Sequence, residues 1–255
     1  MEKKSLDLVT IIIPCYNSSR TITRCLESVF KQTEFQKIHK VIIIDDASND
    51  FFYLKKKINN FKKKIKNIQI FRNKKNMGPG YSRNLAISKS NSKYISFLDS
   101  DDVWHRDKLK IQLSYFDKDP DLFMICAFNE SSKFNNTEFD EIKLLKMLFH
   151  NGVFTSSVLM KSQPKLFFKK SYFSEDYYLW LSMLINKFKI IRVNKILVNK
   201  LDNKKGLTYN QDLMQLNIQK VFLSLYFKLP NYFFLIFLAQ IFSLIKYFIK
   251  KFKYI

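Results

Sequence analysis

A chain of 255 residues that is 47% hydrophobic and 16% aromatic carries enough apolar material for a sizeable core, which excludes wholesale disorder. Its three cysteines (Cys15, Cys25, Cys126) form no CxxC pair or Cys/His cluster, which excludes a disulfide scaffold, argues against a structural zinc site and fits a reducing compartment. The formal charge of +22 comes from 38 Lys and only six Arg, so the forked side chains that read bases are scarce and nucleic acid is not expected as a partner; an anionic membrane surface and a simple compositional bias toward Lys each account for the excess.

The first seven residues, MEKKSLD, are charged and contain no apolar h-region, so no secretory signal is expected. Residues 8–14 (LVTIIIP) form a short β-branched run that reads as a buried parallel strand ending at proline. Asn17 or Ser18 then caps a helix over 19–32, with Ile22, Leu26, Val29 and Phe30 at helical spacing. Residues 40–44 (KVIII) are a second buried strand ending in Asp45-Asp46, followed by a Lys-rich helix over about 50–65 and a strand at 68–71. The breaker cluster 76–80 (NMGPG) is a loop, 81–90 a helix, and 94–98 (YISFL) a fourth strand running into Asp99-Ser100-Asp101-Asp102. Beyond it a helix is expected at 107–117, a polar loop at 128–141 and a helix at 142–150. A strand at 154–160 (FTSSVLM) and a helix opening at Ser174-Glu175-Asp176 follow, then a strand or hairpin at 189–198 and a loop at 201–209.

Alternating strands and helices argue for an α/β fold, an open, mostly parallel sheet with helices on both faces. Ligands in such sheets sit beyond the carboxyl ends of the strands. Asn17, Asp46, Asp101 and Asp102 all occupy strand ends and are expected to share one crevice. The tail differs. No acidic residue follows Asp212, and residues 232–249 are nearly apolar. Gln240, Ser243, Lys246 and Lys250 recur at steps of three and four, so they line one helical stripe. The stripe favours an amphipathic helix lying in the membrane interface, with a spanning helix or one packed on the domain as the alternatives. The expected division is a catalytic domain over 1–212 and a basic, apolar tail over 213–255.

Three carboxylates within four positions repel one another, and a bound Mg²⁺ or Mn²⁺ resolves that repulsion; a solvated turn is the alternative. Asp46 could accept from a nucleobase N–H or cap the following helix. Gly78 and Gly80 with Arg83 could let backbone and charge approach a diphosphate. Glu175-Asp176 could cap a helix or provide a general base.

Taken together, VTIIIPCYN, VIIIDDASND, NMGPGYSRNLAI, YISFLDSDDVW and SEDYYLWL resemble the motifs of a family 2 glycosyltransferase of the GT-A, Rossmann-like type, in order over roughly residues 8–185. FLDSDDVW and EDYYLWL add a likeness to bacterial enzymes of surface-polysaccharide biosynthesis. The resemblance implies that Pro14, Tyr16 and Asn17 line the nucleotide pocket, Asp46 reads the base, usually uracil, and Arg83 flanks the nucleotide. It further implies that Asp101 and Asp102 belong to the metal motif, with Asp102 the direct ligand, and that Asp176 is the catalytic base, with Glu175 its close alternative. The implied function is metal-dependent, inverting transfer from a nucleotide-sugar, usually UDP-linked, to a glycan or lipid-linked acceptor at the cytoplasmic face of the membrane. A catalytically inactive nucleotide-sugar binder and a nucleotidyltransferase are the competing readings, the latter opposed by the absence of glycine from PCYNSSR. Relatives also close an arginine-containing segment over the donor. Here residues 198–210 (VNKLDNKKGLTYN) hold no arginine, leaving Lys204 or Lys205 as loose substitutes.

Overall fold

The structure, a computed structural model, describes residues 8–62, 67–129, 137–163, 167–169, 174–200 and 211–252. Its centre is a nine-stranded mixed sheet. The first half is parallel, with β1 (Val9–Cys15) between β2 (Ile38–Asp45) and β4 (Tyr94–Phe97), and β3 (Ile68–Arg72) outside β2. The chain order therefore reverses between β1 and β4, and the crevice beyond their carboxyl ends is the switch point of the sheet. Helices α1 (Ile22–Phe30), α2 (Phe51–Lys62) and α3 (Pro79–Ser88) make the crossovers.

Strand alternation builds the two cores. Ile11, Ile13 and Ile43 point to one face and pack with Leu26 and Val29 of α1 and Leu54 and Ile58 of α2. The same layer takes Leu109 and Leu113 of α4 (Lys108–Lys118). Ile12, Ile42 and Ile44 point the other way, toward Ala86 of α3 and Leu179 and Trp180 of α6 (Glu175–Ile185). Burial on both faces explains why these strands read as unbroken apolar runs. Pro14 does not end β1, which continues to Cys15. Ile12 accepts from Leu98 N–H on the β4 side, so Pro14, two residues on, turns its missing N–H to the side where β4 has already left the ladder.

The second half departs more from expectation. Strand β8 (Leu159–Lys161) runs antiparallel between β4 and β6 (Leu122–Asn129), joining the halves. β9 (Lys189–Lys200) is one twelve-residue strand parallel to β6, not a hairpin. Its far end pairs with β5 (Asp102–Trp104), and β7 (Phe139–Glu141) pairs near its start. The loop expected at 128–141 thus begins inside β6 and ends inside β7, while the loop at 201–209, with Lys204 and Lys205, lies outside the described residues. The strand expected at 154–160 is replaced by a 3-10 turn at Thr155–Ser157 before β8. Helix α1 begins at Ile22 rather than at 19, because Ser18 C=O first receives the Thr21 and Ile22 N–H groups.

Helix α5 (Leu144–Phe149) packs against α8 (Phe233–Phe252), which forms a pair with α7 (Gln211–Lys228). Phe222, Leu225, Ile236 and Ala239 of this pair join the α6-side core. Half of the polar stripe of α8 is turned toward α7: Tyr226 donates to Gln240 Oε1 at 2.6 Å, and Gln215 meets Ser243 at 3.1 Å. Two mid-helix polar side chains thus find hydrogen-bond partners on α7, while Lys246 and Lys250 of the same stripe are exposed.

Candidate active site

Four loops meet beyond the switch point. In the first, Tyr16 is half exposed and Asn17 adopts a left-handed backbone with φ 51°. Asn17 N–H donates to Ser48 Oγ at 2.9 Å, and its Oδ1 receives Asn49 N–H at 2.9 Å, which ties the ends of β1 and β2 together. Ser18 and Ser100 share a hydroxyl hydrogen bond of 2.7 Å, bringing the acid loop after β4 to the same place. Pro14 lies buried behind this loop in β1.

Asp46 is buried and already engaged. Its Oδ1 accepts from Asn73 Nδ2 at 2.7 Å and Met77 N–H at 2.9 Å, and its Oδ2 accepts from Gly78 N–H at 2.7 Å. These bonds fix the 73–78 loop and the start of α3, where Gly78 has φ 85°. The expected helix cap is not its role: Asp50 C=O takes the Leu54 N–H in the first turn of α2, and Asp46 faces α3.

Arg83 of α3 is 4% exposed and grips two acids, Asp99 Oδ1 at 2.7 Å and Glu175 Oε1 at 2.9 Å. Both charges hold the guanidinium protonated against its burial. Gly80 serves the same junction. A Cβ there would sit 2.7 Å from Glu175 Cγ, so the glycine lets α3 and α6 approach. Glu175 is buried, and burial pushes its carboxyl up to about 7, Arg83 opposing and Asp176 adding to the rise. Asp176 is only partly buried; its Oδ2 accepts from Thr155 Oγ1 at 2.9 Å.

Next to Thr155, Ser156 donates to Asp102 Oδ2 and accepts Asp99 N–H at 3.0 Å. Adjacent hydroxyls of one turn therefore hold Asp176 and Asp102. Sequence reasoning missed both, having read the segment as a strand; three consecutive hydroxyl residues, TSS, inside an apolar run were the available signal. Asp102 is 2% exposed, and among the described residues its Oδ1 has no hydrogen-bond partner. Burial pushes its carboxyl up to about 8, with Asp99 and Asp101 adding repulsion and Ser156 opposing. An orphaned buried carboxylate oxygen beside two further acids suits a hard divalent cation. Among the described residues no group of three or more His, Cys, Asp or Glu side chains is arranged to hold a metal alone. Such an ion would complete its shell with phosphate oxygens and water.

The structure thus gathers Asn17, Asp46, Arg83, Asp99, Asp102, Glu175 and Asp176 along one hydrogen-bonded rim. Residues 10–178 match the family model described as "Glycosyl transferase family 2". The Escherichia coli enzyme named UDP-Glc:alpha-D-GlcNAc-diphosphoundecaprenol beta-1,3-glucosyltransferase WfgD is 32% identical over 182 residues, 69% of this chain and 70% of its own. Among solved structures, S. aureus TarS 1-349 in complex with UDP-GlcNAc superposes with TM-score 0.68 at 20% identity, covering 85% of this chain and 66% of that one. The mannosyltransferase PcManGT from Pyrobaculum calidifontis, in complex with GDP-Man and Mn²⁺, gives TM-score 0.71 at 15% identity, covering 92% of this chain and 72% of that one. These two share the fold. The Rickettsia glycosyltransferases that this chain matches are far longer, and it spans 20–23% of their length.

Proposed function

The chain belongs to glycosyl transferase family 2, and from that membership we propose that it transfers a hexose from a UDP-linked donor, with inversion, to a hydroxyl of a lipid-linked or glycan acceptor in cell-surface polysaccharide synthesis at the cytoplasmic face of the membrane. The observation that carries the proposal is the division of labour between two adjacent carboxylates. Glu175 is buried in the Arg83 clamp, whereas Asp176 stays partly exposed and oriented by Thr155. Asp176 is then the base and Glu175 a positioning residue. The names of the relatives support a UDP-linked donor and a diphosphoundecaprenol-borne acceptor.

In the proposed reaction Asp176 takes the acceptor's hydroxyl proton. The oxygen forms its bond to the anomeric carbon from the face opposite the nucleotide, and the carbon–oxygen bond to the diphosphate breaks, its electron pair leaving with the nucleoside diphosphate. Tyr16, Asn17 and Asp46 hold the nucleotide, Asp46 through the carboxylate that also fixes the 73–78 loop. When bound, Mn²⁺ or Mg²⁺ held by Asp102 and Asp101 would offset charge growing on the departing diphosphate. Arg83 keeps Asp99 and Glu175 in register with these groups.

Thermal denaturation with UDP-Glc, UDP-GlcNAc and GDP-mannose, each with and without Mn²⁺, tests the donor. A ligand at about 100 times its Kd stabilises by roughly 2.7 kcal/mol, which for a chain of this size raises Tm by roughly 5–10 °C. A UDP-sugar is expected to give that rise only with Mn²⁺ present. Equal silence from all three donors, with the protein folded, would overturn the reading.

A further inference from the structure

Helix α8 is amphipathic the wrong way round for a helix facing water. Its outer face carries Phe234, Phe237, Leu238, Ile241, Ile245 and Ile249, recurring at three- and four-residue steps, and Phe234 is 71% exposed. Its uncharged polar residues bond to α7 instead, Gln240 to Tyr226, Ser243 to Gln215 and Tyr247 to Asp212, while Lys246, Lys250 and Lys251 are exposed. Helix α7 extends the surface with Leu216, Leu223 and Phe227, the last 91% exposed. Exposed apolar area on this scale marks an interaction site.

We propose that the α7–α8 pair is a monotopic membrane anchor whose outward apolar face lies in one leaflet of an anionic bilayer. Charge selects the occupant. Lys220, Lys228, Lys246, Lys250 and Lys251 are exposed on these two helices, with Asp212 as the lone acid on their described part. Long lysine stems reach past apolar surface to lipid phosphates. A second copy would bring the same lysines face to face on a chain already at +22. Packing selects the mode. Pro230–Lys251 is long and apolar enough to cross a bilayer. Yet Ile236 and Ala239 are buried in the core that contains Trp180, and Phe149 of α5 stacks edge-on against Phe242 at 5.6 Å. A helix held lengthwise against the domain enters lipid by its side. The anchor is independent of the sugar transferred, and its test requires no activity.

Flotation of the full chain with vesicles of phosphatidylcholine plus phosphatidylglycerol tests binding, with vesicles of phosphatidylcholine alone as the comparison. Strong binding to the first and weaker binding to the second is expected. Phe237→Glu combined with Ile241→Glu should lower the bound fraction roughly tenfold or more while leaving Tm unchanged, because both side chains are exposed. Asn231→Cys and Lys251→Cys, at the two ends of α8, report topology, since Cys15, Cys25 and Cys126 are buried. With protein added outside sealed vesicles, an impermeant maleimide should label both positions. Labelling of one alone would mean a spanning helix and overturn the proposal. So would equal flotation of the double variant, or a lipid-free dimer that ignores vesicles.

Discussion

Glu175 and Asp176 are neighbours with different surroundings, and that difference decides their chemistry. A carboxylate held between Arg83 and a close-packed glycine is shielded from a substrate, while its neighbour, which accepts from Thr155 and from the Tyr177 N–H, stays partly exposed. Asp176→Asn is therefore expected to keep donor-induced stabilisation and lose about 10²–10⁴-fold in turnover, measured by transfer of labelled sugar. Arg83→Met removes the partner of a buried acid and should cost on the order of 3 kcal/mol in urea unfolding, with Glu175→Gln in the same chain restoring part of it. The acids themselves were legible in the sequence, because like charges gathered at a strand end need a counter-ion. Thr155 and Ser156 were not, since a hydroxyl's value depends on what the fold sets opposite it, and Asp176 and Asp102 lie 21 and 54 residues away.

Among the elements, the parallel strands were readable because double-sided burial writes itself as β-branched runs. Strand β6, LFMICAFN, lacks that signature, its run carrying one β-branched residue. Strand β5 is three residues long and owes its existence to pairing with the far end of β9, a non-local cause that no window reveals. Gly80 shows the same limit. Its sequence position suggested approach to a diphosphate, whereas its contact is with Glu175 across the α3–α6 junction. Gly80→Ala should cost about 1–3 kcal/mol through overpacking; a shift of about 1 Å in the α6 acids would also lower turnover on the order of 100-fold. Stability by calorimetry and rate by transfer assay separate the two effects. The α5–α8 junction is expected to respond to pH. Desolvation, and then Lys246, Arg192 and Lys146, hold His150 below its ordinary 6.5. The folded state thus resists a proton that the unfolded chain accepts. The contribution is complete above pH 6.5 and is lost as pH falls through that value toward the folded pKa. His150→Gln should narrow the loss of Tm between neutral and mildly acidic buffer, and added salt should shrink the difference.

At the scale of the whole molecule, two sheet halves of different handling are joined by one short antiparallel strand. Residues 8–98 complete a parallel block whose members are close in sequence, while β6 has no partner until β8 and β9 are present. The lysine-rich surface was plain from composition, but which helix face it borders was settled only by the inward turn of Gln240 and Ser243. For a chain emerging from the ribosome, the late arrival of β8 leaves LFMICAFN as a naked, uncharged edge during translation, the kind of segment that recruits its own copies. A polypeptide stopped after residue 158 should accordingly collect in the insoluble fraction. One in which Met124 is changed to Lys in that truncated form should remain soluble for longer, which makes nascent-chain protection, rather than native stability, the quantity that this topology places under strain.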